Sequence, residues 1–115
     1  FHDKKNKALV VVEKRFERVI PSVNALSEVH GITRLWMVDA TIGVCKGGTE
    51  DAADCIPNRL LMGLDPVAVD VRTGQIRDEE RGALGADPEV ISKDWLAAAE
   101  RVGLGKQKIT RELVK

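Results

Sequence analysis

An excess of charge of either sign is missing from this 115-residue chain, in which 18 Lys and Arg balance 18 Asp and Glu. Nucleic-acid-binding domains usually carry a basic surplus gathered on one face. Here the signs interleave, as in Asp3-Lys4-Lys5 and Glu13-Lys14-Arg15-Phe16-Glu17-Arg18, which argues against nucleic acid as a partner. No apolar run approaches the ~20 residues that a bilayer crossing needs, so no membrane span is expected. A signal-peptide pattern is also missing. The chain opens at Phe1 and reads as a fragment of a longer protein, with a cytoplasmic address favoured and export left open. Cysteine is scarce, with only Cys45 and Cys55, and the two histidines, His2 and His30, lie far from them in sequence. A zinc or iron–sulfur site built from one chain wants about four ligands. Two unpaired thiols are therefore the first reading. A disulfide closing a short ring, and metal ligands completed by another segment, are the alternatives.

What is present suffices for one core. With 43% hydrophobic residues, residues 1–115 are expected to form a single α/β domain, stable by roughly 6–17 kcal/mol at about 0.05–0.15 kcal/mol per residue. Leu9, Val12, Phe16, Val19 and Ile20 recur at three- and four-residue steps and predict a helix from Asn6 to about Val19. Pro21 is expected to open a second short helix, Ser22 to Val29, stopped by His30-Gly31. His30 in that last turn is read as a partner of the helix dipole. Arg34 to Asp39 reads as a buried strand, which Ile42 to Cys45 would continue after a bend. Lys46 to Cys55 has no periodicity and is a loop, after which Arg59 to Gly63 reads as a second strand. Asp65-Pro66 and Asp87-Pro88 are helix starts, Asp capping the free amides and Pro fitting the first turn. The first helix should run to about Thr73, with Gly74 weakening it and the charged stretch Arg77 to Gly82 solvated. The second should run from Pro88 to Val102 and stop at Gly103. Trp36 and Trp95 are assigned to the core. Ile109 to Val114 is expected as a final edge strand. Strands joined through helices predict an α/β layered fold, with a short, mostly parallel sheet flanked by helices.

Four blocks stand in a recognisable order. They are Trp36-Met37-Val38-Asp39-Ala40, the glycines Gly43, Gly47 and Gly48, the run Leu61-Met62-Gly63-Leu64-Asp65-Pro66-Val67-Ala68-Val69-Asp70, and Ala97-Ala98-Ala99-Glu100-Arg101-Val102-Gly103-Leu104-Gly105. In this the chain resembles the carboxy-terminal half of the domain of unknown function 362 family, from about Ala8 to Val114. The resemblance implies no general reaction. It implies association with ferredoxin-like four-iron clusters in some members, hence an iron–sulfur cluster in the full-length protein rather than in this chain alone. The implied partners are the amino-terminal half of the domain or a ferredoxin-like module. The chain departs from the family where the loop lacks a Gly-Pro pair and where the residues after Asp70 are charged.

The residues also nominate chemistry. Asp39 ends a predicted strand, the edge of an open α/β sheet where ligands bind, and would serve as a Mg²⁺ ligand or a base. Its alternative role is to cap the following turn. Asp70 is the second catalytic candidate, meeting Asp39 across the sheet edge. Asp65 lies roughly 140° around the helix from Asp70 and is expected to act as the N-cap. Gly43, Cys45, Gly47, Gly48 and Thr49 are the ligand-binding candidates, because glycines let backbone amides approach an anion. The loop lacks the lysine of a phosphate-binding loop, which favours a turn-rich connector. Cys45 would be a reactive thiolate only with a lowered pKa, for which Lys46 is the nearest help. Three functions follow as expectations: a ligand-binding or redox-associated domain of an iron–sulfur protein, a metal- or anion-dependent enzyme domain using Asp39 and the Gly43–Thr49 loop, and a non-catalytic interaction module.

Overall fold

The strongest local signal, Asp65-Pro66, is where the fold is organised. In the computed structural model, which describes residues 18–48, 50–88, 94–110 and 112–114, Asp65 Oδ1 accepts from the amides of Val67 and Ala68 at 2.9 and 3.1 Å. Those are two of the amides that a helix start leaves without an intrahelical partner. The elements in chain order are α1 (18–24), α2 (Ser27–His30), β1 (Trp36–Ala40), β2 (Arg59–Gly63), α3 (Pro66–Ala83) and α4 (Asp94–Arg101).

β1 and β2 form a two-stranded antiparallel sheet, with Trp36 opposite Gly63, Met37 opposite Met62 and Asp39 opposite Leu60. This corrects the expected mostly parallel, layered sheet. A parallel pair needs a crossover element between its strands, but the segment joining β1 to β2 is a loop, and such a loop returns the chain antiparallel. The expected third strand is also not found among the described residues. The described residues of 109–114 carry no strand, and Leu113 and Val114 are largely exposed. That end of the chain is tied instead to α3 by a 2.9 Å ion pair between Arg72 and Glu112.

Among the described residues, helices cover one face of the sheet only. Gly63 faces α3 so closely that a side chain there would meet Val69 Cγ2. Val67, Val69 and Ile76 are the buried residues of α3, and Ala98 and Ala99 those of α4. Val67, Ala99 and Leu104 form the core, with Ala25 and Leu96 packed on it. α4 ends as its sequence predicts. Gly103 takes φ +82°, Leu104 N donates to Ala99 O at 3.0 Å, and the turn delivers Leu104 into the core, as helix-ending glycine motifs do.

Several boundaries differ from expectation. Most of the helix expected over Asn6–Val19 lies outside the described residues. Pro21 sits inside α1, and the second helix is the single turn α2. α3 runs ten residues past Thr73, through Gly74 and the charged stretch, because Ile76 is buried there and Arg81 is anchored beyond it. Asp87 and Pro88 are not helical, and the start of α4 falls next to undescribed residues. Trp95 is 38% exposed and so walls a cavity more than it fills a core. No described helix is long and apolar enough to cross a membrane.

Candidate functional site

Asp39, at the end of β1, is exposed and committed to its own turn. Its Oδ1 accepts from the Thr41 hydroxyl at 2.7 Å and the Thr41 amide at 3.0 Å. Those two donors hold the carboxyl below the usual aspartate range. This is the turn-capping geometry. Strand alternation puts Asp39 on the sheet face that carries exposed Met37, opposite the face covered by α3. Asp70 belongs to α3, on the covered side. The sheet therefore separates the two carboxylates that the sequence paired.

The glycine loop is organised from inside by carboxylates. Asp54 Oδ1 accepts from Cys45 N at 2.6 Å, and Oδ2 accepts from Lys46 N at 3.0 Å and Gly47 N at 2.9 Å. Asp51 Oδ2 accepts from Gly48 N at 2.6 Å. Successive amides arranged in this way make an anion-binding concavity, and here the anion is supplied by the chain. The amides of Cys45, Gly47 and Lys46, in that order of effect among these donors, hold the Asp54 carboxyl below its usual range. An external phosphate would have to displace Asp54 or Asp51 to reach these amides. Thr49 lies outside the described residues.

Cys45 and Cys55 are bonded to each other across this loop, their Cα atoms 6.2 Å apart, so the expectation of two unpaired thiols gives way to its disulfide alternative. Both are buried. Gly43 and Cys55 pair through Gly43 N to Cys55 O at 3.0 Å and Cys55 N to Gly43 O at 3.2 Å. Arg81 Nη1 donates to Cys45 O at 2.8 Å and Arg81 Nε to Asp87 O at 2.9 Å, fastening the loop to the end of α3. Asn58, at φ 54°, turns the chain into β2, the left-handed conformation that Asn tolerates better than most residues. Sequence reasoning missed Asp54 and Arg81. The signal available for Asp54 was that exposed glycine amides need acceptors, and a loop with its own carboxylates can supply them.

A cavity of about 370 Å³ lies on the helix side of the sheet, walled by Trp36, Val67, Trp95, Ala99 and Leu104 and bordered by Asp70. Asp70 keeps an exposed surface at the rim of the cavity, and crowding by the protein on its inner side raises its carboxyl above the usual range by desolvation. His30, its ring centroid 5.9 Å from that of Trp36, keeps Nδ1 buried without a hydrogen-bond partner among the described residues. The opposite sheet face is uncovered among the described residues. It carries Leu35, Met37, Leu60, Met62 and Leu64, with Met37 57% and Met62 59% exposed although they pair directly across the strands. No protein-family model, curated protein or solved structure matches the chain.

Proposed function

We propose that this chain is a non-catalytic interaction module, and that its outer sheet face receives further polypeptide of its own domain. In the family resemblance that partner is the amino-terminal half. The observation that carries this reading is the Met37–Met62 pair, exposed at the centre of an apolar face between Leu35, Leu60 and Leu64. An antiparallel sheet with one wet face alternates apolar with polar residues, whereas strands covered on both faces read as continuous apolar runs. Both strands here are of the second kind, Trp36-Met37-Val38 and Leu60-Leu61-Met62. A contiguous apolar patch of this sort marks an interaction surface. Both strands also have an unpaired edge among the described residues, and an isolated two-stranded sheet is marginal in water. Co-expression with a polypeptide spanning the amino-terminal half of the family domain should give a stable complex, and Met62→Lys should abolish it. Failure to associate, or a complex indifferent to Met62→Lys, would refute the reading. If the resemblance extends to an iron–sulfur cluster, its cysteines would come from a ferredoxin-like partner, because this chain has only two and they are bonded to each other.

A second reading is favoured by the cavity. Apolar walls with a few polar groups and a perturbed carboxyl are the usual marks of a small-molecule site. Trp36, Trp95 and Asp70 would take a flat apolar ligand bearing one hydrogen-bond donor. Quenching of tryptophan fluorescence by small aromatic amines, lost in Asp70→Ala, would support it. Quenching that is unchanged in Asp70→Ala would count against it.

A further inference from the structure

We propose that reduction of the Cys45–Cys55 disulfide opens a site for a soft divalent cation, Zn²⁺ fitting best, held by both sulfurs and one carboxylate oxygen of Asp54. The two Sγ atoms and an Asp54 oxygen already lie within 4.8 Å of one another. Thiolate sulfur and carboxylate oxygen are ligands that Zn²⁺ accepts together, at about 2.3 and 2.0–2.2 Å in a tetrahedral site. Three ligands from the chain leave the fourth position for water or for a group from a partner.

What makes this a site is that the ligands are positioned by bonds other than the disulfide. Cys55 is held by its paired hydrogen bonds with Gly43, and Cys45 by the bond from its amide to Asp54 and from Arg81 to its carbonyl. Cleaving the S–S bond removes none of these. With their Cα atoms 6.2 Å apart, side-chain rotation would let the two sulfurs part to the roughly 3.7 Å that tetrahedral coordination requires. Asp54 retains capacity as well. A carboxylate offers about four lone-pair positions, of which Oδ2 uses two and Oδ1 uses one on backbone amides. The free position is on Oδ1, and the three amides become the supporting hydrogen bonds that orient a metal-bound carboxylate. Both cysteines are buried, which limits competition from bulk water.

The chemistry balances with a phosphine as reductant. The S–S bond breaks, two thiols form, and the phosphine becomes its oxide with oxygen taken from water. Cation binding then forms two metal–sulfur bonds and releases the two thiol protons. A disulfide oxidant reverses the sequence, re-forming the Cys45–Cys55 bond and expelling the ion. The loop that closes over Asp54 thus alternates between a covalent and a metal-bridged state according to redox conditions.

The test is titration of the whole chain with Co²⁺ and Zn²⁺, oxidised and after phosphine reduction, followed by Co²⁺ absorption, calorimetry and X-ray absorption. The expected result is one ion per reduced chain in a four-coordinate shell of two sulfurs and light atoms, with no binding to the oxidised chain. Cys45→Ser should abolish the sulfur-to-cobalt bands, and Asp54→Asn should weaken binding by at least ~10-fold. Circular dichroism checks that each variant is folded. Where Asp54→Asn disturbs the loop, a metal-induced shift of the carboxylate stretches in the infrared difference spectrum of the reduced wild type serves as the second reading of the carboxylate's place, and its absence would overturn the proposal. No binding to the reduced chain, equal binding to the oxidised chain, or an ion shared between two chains in sedimentation would overturn the proposal.

Discussion

Gly105 stands against the Asp65 carboxylate so tightly that a methyl group there would overlap it. A Cβ built on Gly105 comes within 3.0 Å of Asp65 Oδ1, Cγ and Oδ2. Gly105 does not occupy the left-handed region, so Gly105→Ala carries no dihedral penalty, and its cost is steric. Asp65 cannot yield freely, because Oδ1 caps α3 through Val67 N and Ala68 N while Oδ2 accepts from Lys106 N at 3.0 Å. Displacing it forfeits a cap of about 1 kcal/mol, and residual overpacking adds about 1–3 kcal/mol. Gly105→Ala should therefore cost about 2–4 kcal/mol, and Asp65→Ala alone about 1–2 kcal/mol. The double variant discriminates. Truncating Asp65 removes the three atoms that overlap, so the double variant should be no less stable than Asp65→Ala within about 0.5 kcal/mol. Urea unfolding at constant m value measures all three. Strict additivity, or a Gly105→Ala as stable as wild type, would refute this account of how the segment after α4 is pinned to the start of α3.

Other predictions follow from the loop and the cavity. Replacing Cys45 and Cys55 by Ala opens a ring spanning a separation of 10 residues and should cost roughly 2–3 kcal/mol by the chain-entropy relation, leaving a folded protein, as the midpoint of urea unfolding will show. Asp54 has a depressed carboxyl in the folded state, so its contribution is complete above the unfolded value near about 4 and is lost as pH falls through the folded value. Asp39 and Glu100 are shifted in the same direction. Stability should fall below about pH 4, and Asp54→Asn should flatten that acid limb. Asp70 has the opposite sign. Its carboxyl is raised by desolvation, so it opposes folding once ionised, and Asp70→Asn should raise the thermal midpoint at pH 7 but not at pH 3.

The parts of this fold that were legible in the sequence are those decided within one turn of chain. Asp65-Pro66 announces a capped helix because the cap, the proline and the amides it satisfies are neighbours. Gly103 likewise marks the end of α4. What was not legible depends on distant partners. Gly74 and the charged stretch after it predict an end to α3 near Thr73, but burial of Ile76 and the reach of Arg81 to Cys45 O carry the helix on to Ala83. Ile109–Val114 has the composition of a strand, but the loop-joined β1–β2 pair offers it no crossover place, and Glu112 is held by Arg72. Asp39 was singled out for its position at a strand end, which the structure confirms, but its carboxylate is occupied by Thr41, two residues away. The residue that organises the glycine loop, Asp54, looked like one of several surface carboxylates, because nothing in local spacing says which acid folds back nine residues onto Cys45 N.

The claim on which the functional reading rests is that the outer sheet face is a contact surface. Its most direct measurement is the affinity of this chain for the amino-terminal half of the domain that it resembles, by sedimentation, in wild type and in the Met37→Lys/Met62→Glu double variant, whose opposite charges face each other across the paired strands. Fully burying a methionine side chain contributes about 1.5–3 kcal/mol, and 57% of Met37 and 59% of Met62 remain to be buried, so losing both should weaken association by more than ~10-fold while leaving the urea midpoint of the isolated chain nearly unchanged. Equal affinity for the two proteins, or no association for either, would contradict the account.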